Sequence, residues 1–382
     1  MYLNNAATSW PKAPGLGREV AKATEKVPFH PGRSGFAADE DPMAGCRAAL
    51  ARLLGSGESQ RIVLCQHATQ ALNLAIQGFP FAPGDQVVTT ALEHNSVLRP
   101  LFRLEERGLV QLIIVPVNAE GKVEEDAFEK TLYEHPPRLV VVNHASNVTG
   151  AIQNVETLFR TARSLGAVTL MDASQTLGLV DIDLRRLGAD MVAFTGHKYL
   201  LGPVGTGGLY VSPDVELEPI LVGGTGVRSD LRDMPPEMPG RLEAGTPNVP
   251  AFAGLRHALS WQEQNKPDRD QINGLCRHLE EGLVDLGANV VRVTGNKTPV
   301  ISLTLPGWDI EEMGYILEKG HGICCRTGLH CAPLIHRYIG TAPTGSLRLS
   351  LSRFTTAAEV DHVLDVFKEF TPRFTPHVLH HE

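Results

Sequence analysis

Apolar and polar positions along the chain follow two different rhythms. Up to about Pro250, short and nearly unbroken runs of Val, Ile and Leu alternate with stretches of helical spacing. The runs fall at residues 61–65, 85–90, 112–117, 138–143, 168–171, 191–194 and 208–211, and helical patterns fill 69–76 and 155–165. A strand that is apolar on both sides must be covered on both sides. The pattern therefore predicts an α/β fold, with a sheet between layers of helices. Ligands on such sheets sit beyond the carboxyl ends of the strands. His94, Asn147, Asp172 and Lys198 all fall near such ends.

The rhythm changes after Pro250. A connecting helix is expected from 251 to about 263, strands at 290–293 and 300–305, and a helix at 311–318. Two further strands follow at 323–326 and 346–351, and a last helix spans 357–370. A chain of 382 residues exceeds one simple core. The expected division is a large domain over 15–250 and a smaller α+β unit made of 1–14 and 251–382. The closing Leu379-His380-His381-Glu382 reads as a loose tail rather than a metal site.

Composition narrows the classes. Hydrophobic residues make up 42% and charged ones 20%, the profile of an ordinary globular protein. The net charge of −8, with no basic stripe, argues against nucleic acid or an acidic membrane surface as partner. No apolar run reaches the roughly 18 residues of a membrane span. Residues 1–5 lack the pattern of a signal peptide. Six scattered cysteines imply no disulfide framework, so a reducing cytoplasm is the expected location.

The chemistry begins with Thr195-Gly196-His197-Lys198, which sets a lysine just past one apolar run, and Asp172, which ends another. A lysine whose pKa is lowered can form a Schiff base with an aldehyde, and a carboxylate can keep a pyridine nitrogen protonated. Alone, Lys198 reads as a solvated loop lysine, and only its neighbours change that. Thr69 in Gln66-His67-Ala68-Thr69-Gln70 stands at a helix start, where it is either part of a phosphate site or a plain N-cap worth about 1 kcal/mol. His94 in Glu93-His94-Asn95-Ser96 is either a ring that stacks on a flat cofactor or a polar loop residue. Cys331 lies in Arg326-Thr327-Gly328-Leu329-His330-Cys331-Ala332-Pro333, an exposed turn in which Arg326 and His330 would favour a thiolate. Zinc on His321, Cys324, Cys325, His330 and Cys331 is the rival, but the spacing fits no common finger or ribbon. No metal is expected, and the adjacent Cys324 and Cys325 read as core residues of a strand. Arg348 interrupts the alternation Leu347, Leu349, Leu351 and offers either a solvated charge or a fork for a substrate carboxylate, with Arg353 as a competitor.

Together these motifs resemble the cysteine desulfurases and selenocysteine lyases of the class V aminotransferase group, which are fold type I pyridoxal-phosphate enzymes. The likeness runs almost end to end, through Leu3-Asn4-Asn5-Ala6-Ala7-Thr8, Ala68-Thr69-Gln70, Glu93-His94-Asn95-Ser96, His144-Ala145-Ser146-Asn147, Asp172-Ala173-Ser174-Gln175, Thr195-Gly196-His197-Lys198, Glu243-Ala244-Gly245-Thr246-Pro247-Asn248 and the Cys331 turn. The resemblance implies a mostly parallel, seven-stranded-type sheet and pyridoxal 5'-phosphate as cofactor. By it, Lys198 would carry the cofactor, Asp172 would pair with the pyridine nitrogen and His94 would stack on the ring. Gln175 and Asn147 would stand at the phenolic oxygen. Thr69, Gln70, Thr195 and His197 would form the phosphate end, joined by Thr246 from a second copy in a homodimer. Arg348, with Asn147 and Ala7, would hold the substrate, and Cys331 would take its sulfur as a persulfide. The implied reaction converts L-cysteine to L-alanine, with a protein or small thiol as the final sulfur acceptor. L-selenocysteine cleavage, cysteine-sulfinate desulfination and another class V aminotransferase or lyase reaction are the alternatives, and a non-catalytic sulfur or metal carrier is the remote one. Gln70 replaces a glutamate of many relatives, Leu329 replaces a histidine, and the stretch 226–242 is short.

Overall fold

Residues 1–26 and 41–370 are described in the computed structural model. Seven strands, β1 (Ile62–Cys65), β2 (Asp85–Thr90), β3 (Val110–Val115), β4 (Leu139–Asn143), β5 (Val168–Asp172), β6 (Met191–Thr195) and β7 (Gly207–Val211), make one sheet in the order β1-β7-β6-β5-β4-β2-β3. Only β7 runs against its neighbours, and the remaining pairings are parallel. The continuous apolar strands explain the layering. Val140, Val142, Met171, Val192 and Phe194 bury into one core, and Leu139, Val141, Leu170, Met191 and Ala193 into the opposite one. Successive side chains on a strand point to opposite faces, so each strand feeds both cores. Of the helices α1 (Leu16–Glu25), α2 (Pro42–Leu53), α3 (Ala68–Gln77), α4 (Asn95–Glu106), α5 (Glu125–Glu134), α6 (Val155–Ser164), α7 (Leu184–Leu187) and α8 (Val249–Gln264), those at α2, α5, α6, α7 and α8 cover the first face, while α3 and α4 cover the second.

A second sheet, antiparallel in the order β10-β9-β8, holds β8 (Asn289–Val290), β9 (Val300–Thr304) and β10 (Leu347–Ser350). Helices α9 (Arg269–Asp285), α10 (Ile310–His321) and α11 (Ala357–Phe370) pack on it. The N-terminal segment joins this core. Leu3 is buried in it, with its N–H bonded to the Cys324 carbonyl at 2.8 Å and its own carbonyl accepting from Ser350 N at 2.7 Å.

Several expected bounds differ. The strand expected at 290–293 shrinks to the two residues of β8, and no strand forms over 323–326. There Cys324 bridges Tyr2 of the N-terminal segment and Arg326 bridges Arg348 of β10, so the segment pairs with two different partners one residue at a time. β3 starts at Val110, two residues before the expected run, because the parallel register with β2 begins at Asp85. The 17-residue α9 is a helix beyond those expected, with Ile272, Cys276, Leu279 and Leu283 recurring on one face. The tail 379–382 lies outside the described residues.

Candidate active site

Strands β4, β5 and β6 end side by side, with Asn143 opposite Asp172 and Asp172 opposite Ala193. Beyond them opens a cavity of about 210 Å³. It is lined by Ala7, Thr69, His94, Asn147, Asp172, Gln175, Thr195, His197 and Lys198, and also by His67, Ser96, Ser174 and Arg326. The sheet therefore brings together residues scattered over 320 positions of sequence, at the strand ends where a ligand of this architecture belongs.

The lysine and its surroundings suit carbonyl chemistry. Lys198 sits three residues past the end of β6, and burial pulls its amine down to about 8, against the opposing pull of Asp172. Asp172 is buried, and its Oδ1 accepts the Ser174 N–H at 2.9 Å. His94 caps α4 through Nδ1, which accepts the Ser96 N–H at 3.1 Å. A nitrogen that accepts there carries no proton, so the ring proton belongs on Nε2. Burial, with the Lys198 cation beside it, holds His94 neutral, at about 4. Ser96 continues outward to the Thr69 hydroxyl at 2.8 Å.

Thr69 is not the cap of α3. His67 takes that place, its Nδ1 accepting the Gln70 N–H at 3.0 Å, which leaves Thr69 free to meet Ser96 and the cavity. Gln70 turns away, accepting the Gln66 N–H at 2.8 Å through Oε1. It lines a neighbouring cleft of about 1080 Å³ instead, and so does the exposed Thr246.

Arg348 is fully buried, behind the cavity rather than in water. Its Nη1 donates to the Asn147 carbonyl at 2.8 Å and its Nη2 to Asn4 Oδ1 at 3.0 Å, while Nε has no partner. Arg326 pairs backbone to backbone with Arg348, its carbonyl accepting from Arg348 N at 2.7 Å. Neither guanidinium has a carboxylate partner among the described residues. Burial and the neighbouring Arg326 pull Arg348 down to about 10. Two adjacent cations without an anion form a receptor for one. Arg353 plays a different part, stacking on Trp261 with 4.8 Å between guanidinium and ring centre.

The cysteine turn reaches this rim. Arg326 Nη2 donates to Cys331 Sγ at 3.1 Å, and the Cys331 carbonyl accepts the Asn95 N–H at 2.7 Å. Asn147 Nδ2 holds the His330 carbonyl at 2.7 Å. His330 corrects the sequence expectation. Its ring points to Ser346 Oγ at 3.1 Å, and burial with Arg348 nearby drives it down to about 2, so it supplies no cation to the sulfur. Cys324 and Cys325 are half-buried, and Cys325 packs on the small-sheet core. Among the described residues no group of three or more His, Cys, Asp or Glu is placed to hold a metal.

Sequence reasoning missed Ser96, Ser174, His67 and Glu93. Ser96 was visible only as a small polar residue two positions after His94. Glu93 is wholly buried beneath the cavity, where its Oε1 accepts from Thr90 Oγ1 at 2.7 Å and Asn143 N at 2.9 Å. Nothing in a single sequence distinguishes it from a surface glutamate.

Four buried polar atoms of the cavity lining have no partner within the protein: Asn147 Oδ1, Ser174 Oγ, Gln175 Oε1 and His197 Nδ1. Buried polar atoms are rarely left so, and here they converge on one space with a lysine at one side and an acid at its floor. A flat aldehyde that carries a phosphate fits this lining: Ser174 Oγ and Thr69, at the N-terminus of α3, can donate to the anion, while the amide oxygens of Asn147 and Gln175 are left to accept from ligand N–H or O–H groups.

Comparisons with known proteins agree. The family model of aminotransferase class-V matches residues 1–363. A probable cysteine desulfurase of Methanothermobacter thermautotrophicus is 32% identical over 97% of this chain and 94% of its own, and one from Aeropyrum pernix is 32% identical over 84% and 81%. Among solved structures, a cysteine desulfurase from Thermococcus onnurineus superposes with a TM-score of 0.89 at 30% identity, covering 97% of this chain and 94% of that one. A cysteine desulfurase from Escherichia coli gives 0.83 at 27% identity, over 97% and 95%. The chain belongs to the aminotransferase class-V family and is a pyridoxal-5'-phosphate-dependent enzyme of fold type I.

Proposed function

We propose that the protein is a cysteine desulfurase that converts L-cysteine to L-alanine and leaves the sulfur on Cys331 as a persulfide. The observation that carries this is the docking of the Cys331 turn onto the cofactor cavity through Arg326, Asn95 and Asn147. A class V enzyme that only moved amino groups would have no use for a thiol at that rim. Lys198, Asp172, His94, Asn147, Gln175, Thr195, His197 and Thr69 are the residues assigned to the cofactor. When bound, the cofactor withdraws electrons from the substrate carbons. Arg348 and Arg326 draw in the substrate carboxylate, with Asn147 and Ala7 beside them. Lys198, whose amine burial keeps near neutral pKa, takes and returns a proton at the substrate Cα. Cys331 Sγ attacks the substrate sulfur. The Cβ–S bond breaks as the new S–S bond forms, the carbon takes up a proton, and alanine leaves. A thiol and cysteine enter, and a persulfide and alanine result, so no outside oxidant or reductant is consumed.

The working unit in this reading is a homodimer. Exposed Ile220, Leu221, Val222 and Val227 lie near Thr246, and most of them line the same large cleft. A second copy would cover these side chains and bring Thr246 toward the neighbouring phosphate end. The persulfide then passes to a protein or small thiol in the cytoplasm.

The test is alanine and persulfide formation from L-cysteine by wild type and Cys331→Ala, with L-selenocysteine in parallel. Cys331→Ala should lose cysteine turnover by at least about a hundred-fold and keep both cofactor and selenocysteine cleavage, since selenium leaves without a nucleophile more readily than sulfur. Full cysteine turnover in that variant sinks the assignment.

A further inference from the structure

Cys331 and its neighbour His330 both hold the left-handed backbone conformation, with φ of +61° and +50°. Neither is a glycine, and two such residues in succession persist only where surrounding contacts over-determine them. Two bonds hold their carbonyls. Asn147 Nδ2 donates to the His330 oxygen and the Asn95 N–H to that of Cys331, both at 2.7 Å. These fix two peptide planes but not the direction in which the Cα–Cβ bond of residue 330 leaves them. The His330 ring supplies that constraint. It is buried, and its Nε2 lies 3.1 Å from Ser346 Oγ. Ser346 Oγ lies 3.2 Å from Ser302 Oγ, which donates to the Val148 carbonyl at 2.6 Å. The carbonyl sets every direction in this chain. It can only accept, so the Ser302 proton goes to it, the Ser346 proton goes to Ser302, and His330 must donate through Nε2. The other ring nitrogen, Nδ1, is buried without a partner within the protein. A histidine that only filled space would be replaced at lower cost by an apolar residue. The path also closes on itself. Residue 330 is tied through its carbonyl to Asn147, which lines the cofactor cavity, and through its ring to Val148, the next residue.

We propose that His330 is a positioning residue for Cys331: its Nε2–H, relayed through Ser346 and Ser302 to Val148, locks the left-handed turn that sets Cys331 Sγ beside Arg326 at the cavity rim. Relaxation of residue 330 to an ordinary negative φ would draw the ring off Ser346 and re-aim the residue that follows it. A nucleophile displaced by an ångström loses rate rather than substrate binding. The inference rests on Cys331 being the sulfur acceptor of the proposed desulfurase.

Two polar variants oppose the relay to simple relief of strain. His330→Asn adopts the left-handed conformation more readily than histidine but is too short to reach Ser346. His330→Gln has no such backbone advantage, yet places an N–H as many bonds from Cα as Nε2. Both are made in the full-length, cofactor-loaded protein. His330→Asn should lower kcat for L-cysteine at least about ten-fold, with KM, cofactor colour and L-selenocysteine cleavage changed less than about two-fold. Hydrogen exchange read by mass spectrometry should be at least about ten-fold faster in the peptide covering 327–333, and unchanged in the strands β4 to β6. His330→Gln should stay within about three-fold of wild type in both measurements. Asn equal to or better than Gln overturns the proposal, because strain relief would then outweigh the relay. Faster exchange with kcat intact also overturns it, as does a loss of cofactor and selenocysteine cleavage that matches the loss of cysteine turnover. If wild type makes no alanine from cysteine, the desulfurase reading fails, while the exchange arm still decides whether His330 holds the turn.

Discussion

At the scale of single residues, the site is a set of basic groups that burial makes easier to deprotonate. Lys198 lies near 8, His94 near 4 and His197 near 3, and in each the loss of water is the main cause. Lys198→Ala should abolish the cofactor linkage to protein that borohydride fixes. Normal reducible colour in that variant would refute the assignment. Glu93 offers a cleaner physical test, because burial raises it to about 8 from an ordinary 4.5. The sign follows from proton counts. Below 4.5 both folded and unfolded chains hold the proton. Between 4.5 and 8 only the folded chain does, so stability falls as pH rises through that window and the full cost is present above 8. Gln at this position keeps an acceptor for Thr90 and Asn143 and cannot ionise. The stability of Glu93→Gln relative to wild type should therefore climb steadily from pH 4.5 to 8, as read by denaturant melts. A difference that stays flat across those pH values would mean that Glu93 is ionised in the folded protein.

At the scale of elements, the turn that carries Cys331 depends on close backbone contact with the start of β10. Gly328 and Ser346 exchange two N–H···O bonds at 3.1 Å, and a Cβ on Gly345 would overlap the Gly328 backbone. Gly345 also has φ +93°, a conformation that costs a side-chain-bearing residue about 1–3 kcal/mol. Gly345→Ala should lower Tm by several degrees. It should also reduce cysteine turnover more than cofactor binding, because the turn moves while the strands β4 to β6 stay. Equal losses of both would show that the turn is not separable from the rest. The same elements explain what the sequence could and could not tell. Strands such as β4 and β5 announce themselves because both faces are apolar, and their ends place Asp172 and, three residues past β6, Lys198. The turn announces itself through Gly328 and Pro333. The direction of the His330 ring does not, since Ser346 and Ser302, distant in sequence, decide it. Nor does the burial of Arg348, whose alternation with Leu347 and Leu349 is the same whether the other face meets water or protein. Helix α9 is hard to read because glycines and charges dilute the face formed by its four buried positions.

At the scale of the whole molecule, the apolar side chains of Ile220, Leu221, Val222 and Val227 remain exposed on one chain, near Glu243–Asn248. Monomers seldom leave such a contiguous group open, and a closed two-fold pairing buries the same patch on both copies. Covering one branched side chain stabilises by about 1.5–3 kcal/mol, and two-fold symmetry counts every loss twice. A Leu221→Asp/Val222→Asp pair of substitutions should therefore weaken association by at least about a thousand-fold. Neither residue touches the 210 Å³ cavity of its own chain, so a loss of function there must act through the second copy. Sedimentation should find wild type as a dimer and the variant as a monomer with a normal melting profile. The monomer should hold its cofactor weakly and regain turnover only at high protein concentration, because Thr246 would no longer reach a neighbouring phosphate end. Wild type that is monomeric and fully active at working concentration would overturn the shared site. It would also assign the exposed patch to a different partner.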